Sequence, residues 1–144
     1  MKKLNIDKIL HKLPSNKVNL KIFHEIDSTN DEAKRIELDK DFHVIVAEKQ
    51  TKGRGRLGKK WSSPHSGNIY MTICTENDLS KVPVSLITGL ICKKAINRIS
   101  SKSMIMLKWP NDILLNNKKI GGILVESAVY NEKIRTIIGI GINI

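Results

Sequence analysis

The chain has 144 residues, with 25 lysines and arginines against 14 aspartates and glutamates, a formal net charge of +11. Hydrophobic residues make up 40% of it, enough for one domain with its own core. No apolar run approaches the roughly 20 residues of a membrane span, the N-terminus lacks the apolar stretch of a signal peptide, and aromatics at 4% are too few for an obvious base-stacking platform.

These features predict a cytoplasmic protein with anionic partners. Residues 1–13 read as a short basic helix ended by Pro14. Val18 to Ile26 alternates and reads as a strand. Ser28 is placed to cap a helix whose first turn carries Asp31 and Glu32, with Ala33, Ile36 and Leu38 facing inward. Residues 42–48 form a strand, and so do Asn68 to Thr75. A helix is expected from Val82 to Ile99, with Leu86, Leu90, Ile91, Ala95 and Ile99 as its buried face. Met104 to Lys108 is a short strand stopped by Trp109-Pro110. Three further strands, Ile113 to Leu115, Lys119 to Val129 and Ile134 to Ile144, are joined by turns too short for crossovers and form an antiparallel meander. The class is therefore α+β, one domain over 1–144, with a mixed, largely antiparallel sheet and packed helices. Cys74 and Cys92 sit apart in apolar segments and read as reduced core residues. The four histidines show no metal-ligand spacing.

The stretch with most chemistry is Lys52-Gly53-Arg54-Gly55-Arg56-Leu57-Gly58-Lys59-Lys60-Trp61. Five basic side chains and three glycines fall there with no acid among them. Glycine lets the backbone approach a ligand closely, and arginine forks match carboxylate and phosphate. The loop reads as a mobile clamp for a small anion. Gly53-x-Gly55-x-x-Gly58 matches the dinucleotide fingerprint in letters, yet no helix opens after it, which that fingerprint requires. A Walker loop is excluded because no Gly-Lys-Ser/Thr follows. Asp27-Ser28-Thr29-Asn30 offers hydroxyls and amides that suit a neutral polar group such as a urea. The glycine pairs Gly121-Gly122 and Gly139-x-Gly141 interrupt strands, where they weaken the ladder unless something must come close to it. They predict a bare floor for a flat or chain-like ligand.

Taken in order, Asp-Ser-Thr-Asn, the loop, Lys108-Trp109-Pro110-Asn111-Asp112, Lys119-Ile-Gly-Gly-Ile-Leu-Val-Glu126 and Gly139-Ile-Gly-Ile-Asn143 resemble the biotin–protein ligases over about residues 22–144. The resemblance implies the catalytic fold shared with lipoate ligases and distantly like class II aminoacyl-tRNA synthetases. It implies that biotin and ATP give biotinyl-5′-AMP, after which biotin passes to a lysine of a biotin carboxyl carrier protein. Ser28, Thr29, Asn30, Gln50, Gly121, Gly122, Gly139 and Gly141 would then surround biotin. Arg54, Gly55 and Arg56 would wrap the adenylate, and Lys119 would contact the activated carboxyl and the α-phosphate. Arg54, Arg56 and Lys119 would be the catalytic cations. Trp61, Asn111, Asp112 and Asn143 would lie on the nucleotide side, with Mg²⁺ on the ATP phosphates and Asp112 as its candidate protein ligand. Carboxylate attack on an α-phosphate needs no general base, but it does need positive charge and orientation.

The pattern departs from the family in having no N-terminal DNA-binding domain, and in stopping one residue after Asn143. That predicts a shortened ligase, active or reduced to a biotin-binding remnant, with its last apolar strand exposed at a sheet border. A homodimer is compatible with the family, and nucleic acid is not an expected partner. A small basic nucleic-acid-binding protein is the alternative of another class, and lipoate ligation is a lesser one.

Overall fold

The computed structural model describes residues 6–64, 67–99 and 104–143. The start of the expected first helix, His65-Ser66 in the loop exit, and Ile144 lie outside them. Within the described residues the first helix, α1, covers Ile6–Leu10. The next elements are strand β1 (Val18–Ile26), helix α2 (Thr29–Arg35) and strand β2 (Phe42–Gln50). After the basic loop come β3 (Ile69–Thr75), α3 (Val84–Ile99), β4 (Ile105–Lys108), β5 (Asp112–Leu115), β6 (Lys118–Tyr130) and β7 (Lys133–Ile142).

Among the described residues the strands form a seven-stranded sheet in the order β1-β2-β3-β7-β6-β5-β4. β1 and β2 are parallel, joined across α2, and the remaining pairs are antiparallel. The meander closes with two-residue turns whose residues all have positive φ, Asn116-Asn117 and Asn131-Glu132. That geometry matches the twist of the flanking strands, and asparagine tolerates it well.

Strand alternation divides the core. Ile138, Ile140 and Ile142 pack with Cys92, Ile105, Ile113 and Ile123 under α3. Ile137 points to the opposite face and joins Ala33, Ile36, Ile45 and Cys74 under α2. α2 is held at both ends. Ser28, with extended backbone, caps its start and accepts from the Asp31 amide. Its last carbonyls, Ala33 O and Ile36 O, accept from the guanidinium of Arg135 on β7. Arg135 is 1% exposed; it also pairs with Glu76 at 3.3 Å and stacks on Tyr130. Terminal helix carbonyls have no partner within the helix, so a buried cation is an effective cap.

Two expectations are corrected. β7 is not a border strand: it is hydrogen-bonded on both sides, to β3 and β6. Ile137, Ile138, Ile140 and Ile142 are buried between these neighbours, whereas Ile134, near the start of the strand, is 67% exposed. The apolar residues assigned to the inner face of α3 also point outward: Leu86, Leu90 and Ile91 are 48%, 53% and 62% exposed, and Ile99 is 89% exposed. The buried face carries Thr88, Gly89 and Cys92. Small residues there let the helix settle close to Leu107 and Ile123, the nearest atoms to Gly89.

Candidate functional site

A cavity of about 360 Å³ opens on the α2 face, between the start of α2, the end of β2, the basic loop and strands β5 to β7. One wall is a closed hydrogen-bond set. Gln50 Oε1 accepts from the Thr29 amide at 2.8 Å and from the Thr29 hydroxyl at 3.1 Å, while Gln50 Nε2 donates to Ser63. The Thr72 hydroxyl lies 2.8 Å from that of Thr29 and 2.6 Å from Asn30 Oδ1. Ser28, Thr29 and Asn30 are all buried. Buried polar groups must be paired, so this set fixes the wall rigidly.

The loop is more structured than an open coil. Gly55 N donates to Lys59 O at 2.7 Å, Trp61 N donates to Gly53 O, and Arg54 bridges to Lys60. A single 3-10 turn, Arg56–Gly58, forms its tip, and no longer helix opens there. At the tip Leu57 has φ 55 and is 91% exposed, a left-handed conformation that costs a leucine roughly 1–2 kcal/mol. The base is stapled. Lys52 N donates to Asp27 O, and Arg35 grips the Asp27 carboxylate at 2.8 and 2.9 Å. The Arg35 hydrogen bond holds the Asp27 pKa down to about 2.

Five cations line the cavity, Arg54, Arg56, Lys59, Lys60 and Lys119, and Arg54, Arg56 and Lys119 are tied in different ways. Arg54 Nη2 pairs with Asp31 at 2.5 Å and reaches Glu126 at 3.4 Å. Glu126 also takes Asn30 Nδ2 at 2.7 Å and Lys34 at 3.1 Å. Burial would raise the Glu126 carboxyl, but Asn30, Lys34 and Arg54 outweigh it and hold it below the usual value. Lys119 pairs with Asp112 at 2.7 Å and lies 5.6 Å from the centre of the Trp61 ring. Arg56 makes a weaker contact, 3.5 Å to Asn111. Asn111 itself is locked, its side-chain amide donating to Ile123 O and its backbone carbonyl accepting from Ile123 N.

A β-bulge puts Lys119 there. β5 and β6 pair as Ile113↔Gly121 and then Leu114↔Lys119, skipping Ile120. Lys119 and Gly122 are three residues apart and would face opposite sides of a regular strand. The extra residue turns Lys119 to the cavity side, beside Asp112.

The glycines play a different part from the bare floor expected. A Cβ on Gly139 would collide with the Asn30 amide, and one on Gly141 with the Trp61 indole; Gly122 also lies against that ring. They admit side chains of the protein itself, which then shape the cavity. Of the predicted residues, Ser28, Thr29, Asn30, Gln50, Arg54, Gly55, Arg56, Trp61, Asn111, Asp112, Lys119, Gly122, Gly139 and Gly141 line it. Gly121 and Asn143 do not. Gly121 faces Ile113 on the α3 side and is small because Gly141 O lies 3.0 Å from where its Cβ would be. Trp61 Nε1 and Asn143 Oδ1 are buried without a hydrogen-bond partner among the described residues. Sequence reading missed Thr72, Ser63, Asp31 and Glu126. Glu126 carried a signal, since it stands an even number of residues from Gly122 and so on the same face.

The chain matches the model of the Biotin/lipoate A/B protein ligase family over residues 22–143. It is 33% identical to the bifunctional ligase/repressor BirA of Escherichia coli over 145 aligned residues, covering 97% of this chain and 44% of that one. The biotin protein ligase of Leishmania major, solved in complex with biotin, superposes with TM-score 0.73 at 36% identity, covering 92% of this chain and 57% of that one. The Aquifex aeolicus enzyme, solved with biotin and ATP, gives TM-score 0.70 at 37% identity, covering 88% and 52%. The chain thus spans less than two thirds of the length of each of these relatives.

Proposed function

This chain belongs to the Biotin/lipoate A/B protein ligase family, and from that premise we propose that it activates biotin with ATP to biotinyl-5′-AMP and transfers biotin to a lysine of a carrier protein. The observation that carries this reading is the convergence of Arg54, Arg56 and Lys119 on one cavity whose wall is the buried Ser28-Thr29-Asn30 and Gln50 set.

In the first step the biotin carboxylate attacks the α-phosphorus and pyrophosphate leaves. Two anions meet and charge builds on the phosphoryl oxygens, so fixed cations lower the barrier. Lys119 exchanges Asp112 for those oxygens. Arg54 stays anchored to α2 through Asp31 and orients the carboxylate. Arg56, the least engaged of the three, swings onto the phosphates as the loop tip closes and excludes water. The Gln50 wall holds the ring system of biotin, with the Ser28 hydroxyl beside it.

Mg²⁺ fits as a passenger on ATP. Among the described residues no group of three or more His, Cys, Asp or Glu side chains is placed to hold an ion, and Asp112 is the carboxylate that lines the cavity. The ion would neutralise phosphate charge. The test is to mix protein, ATP, Mg²⁺ and labelled biotin. A labelled adenylate that requires all three supports the reading, and its absence contradicts it.

A further inference from the structure

We propose that the exposed patch of Trp109 and Leu86 is the docking surface for the acceptor polypeptide, a folded protein that presents its target lysine among acidic side chains. The inference rests on the ligase reading above. In the transfer step the lysine amine attacks the biotinyl carbonyl carbon. The C–N bond forms, the C–O bond to AMP breaks with its electron pair on the phosphate, and the amine proton passes to solvent. The lysine must therefore enter the cavity mouth while the rest of the acceptor rests on the rim.

Trp109 stands in the turn between β4 and β5 that leads into Asn111 and Asp112 of the cavity lining. Asn111 and Asp112 line the cavity and also border the hollow beneath Trp109 and Leu86. Trp109 is 85% exposed and Leu86 48%. Neither lines the small-molecule cavity. A large aromatic left in water beside a reactive mouth is the kind of residue that dominates protein–protein contacts. Charge narrows the partner further. Lys59, Lys60 and Lys119 line the mouth, and Lys108 beside Trp109 is exposed. An approaching lysine would be repelled by them unless acids on the acceptor offset it.

The test separates the half-reactions, with a biotin carboxyl carrier domain as acceptor. Trp109→Ala should form adenylate at the wild-type rate without acceptor, because the residue lies outside the cavity. Its kcat/KM for the carrier domain should fall about ten- to thirty-fold through KM. Lys108→Glu should raise KM less, and the difference from wild type should shrink in high salt. Normal adenylate formation with an unchanged kcat/KM for the carrier in Trp109→Ala would overturn the docking surface alone. A changed oligomeric state in Trp109→Ala with an unchanged carrier KM would assign the patch to a second copy and also overturn it. If the wild-type protein makes no adenylate, the ligase reading itself fails and the docking surface falls with it.

Discussion

The two faces of β7 are built from alternate residues of one short segment, and they do different work. Ile138, Ile140 and Ile142 face α3 and pack in an apolar cluster. Gly139 and Gly141 face α2, where they admit Asn30 and Trp61 beside the cavity. The α2 face also carries the buried titratable groups Arg135 and His43. Between Ile138 and Ile142 one face thus holds only apolar packing, and the other holds the glycines beside the cavity. A change on either face should therefore report on one property more than the other.

The largest effect expected is on stability. Ile140→Ala empties a well-packed position on the α3 face and should cost about 2–5 kcal/mol, read from denaturant unfolding. Ile140 borders the cavity, but its side chain packs in the α3 cluster, so adenylate formation per folded molecule should stay within about two-fold of wild type. Gly141→Ala should do the reverse. Its Cβ displaces the Trp61 indole and with it the setting of Lys119. Adenylate formation should drop on the order of 100-fold, the scale of a misplacement of about 1 Å, with a smaller loss of stability than Ile140→Ala. If both substitutions lower stability and activity in step, the separation of faces fails.

A smaller effect comes from pH. Burial holds His43 below its ordinary value of 6.5; Asp39 opposes this, and Lys21 and Arg135 reinforce it. The unfolded chain binds a proton near 6.5 that the folded chain resists. The stabilising contribution is therefore complete above 6.5 and is lost as pH falls from there through the lower folded value. The melting temperature should fall between about pH 8 and about pH 5, and His43→Leu should flatten that slope. An unchanged slope in the variant would place the titrating group elsewhere.

Much of this was legible in the sequence. The meander followed from turns too short for crossovers, and the start of α2 from Ser28 ahead of two acids. The cavity followed from motif order, because its residues are spread over α2, β2, the loop, β5, β6 and β7. What was not legible depends on which surface of an element meets the sheet. The apolar stripe of α3 was visible, but that Thr88, Gly89 and Cys92 would be the contact face is decided by how closely the helix must approach. The central place of β7 depends on strand order, which alternation in one strand does not encode. The Glu126 cluster and the Arg135 cap join residues about 70 to 100 positions apart, and no local pattern announces them. The bulge at Ile120 is a register shift between β5 and β6, and no local pattern shows that it re-aims Lys119.

The central claim is that Lys119, held by Asp112 at rest, is released to the developing phosphoryl charge. It is tested most directly by measuring biotin affinity and the adenylate formation rate side by side in Lys119→Ala. A biotin Kd within a few-fold of wild type, with adenylate formation slowed by about 100-fold or more, is the result expected of a cation whose charge matters chiefly in the transition state. Adenylate formation at the wild-type rate, or a loss carried wholly by weaker biotin binding, would contradict it.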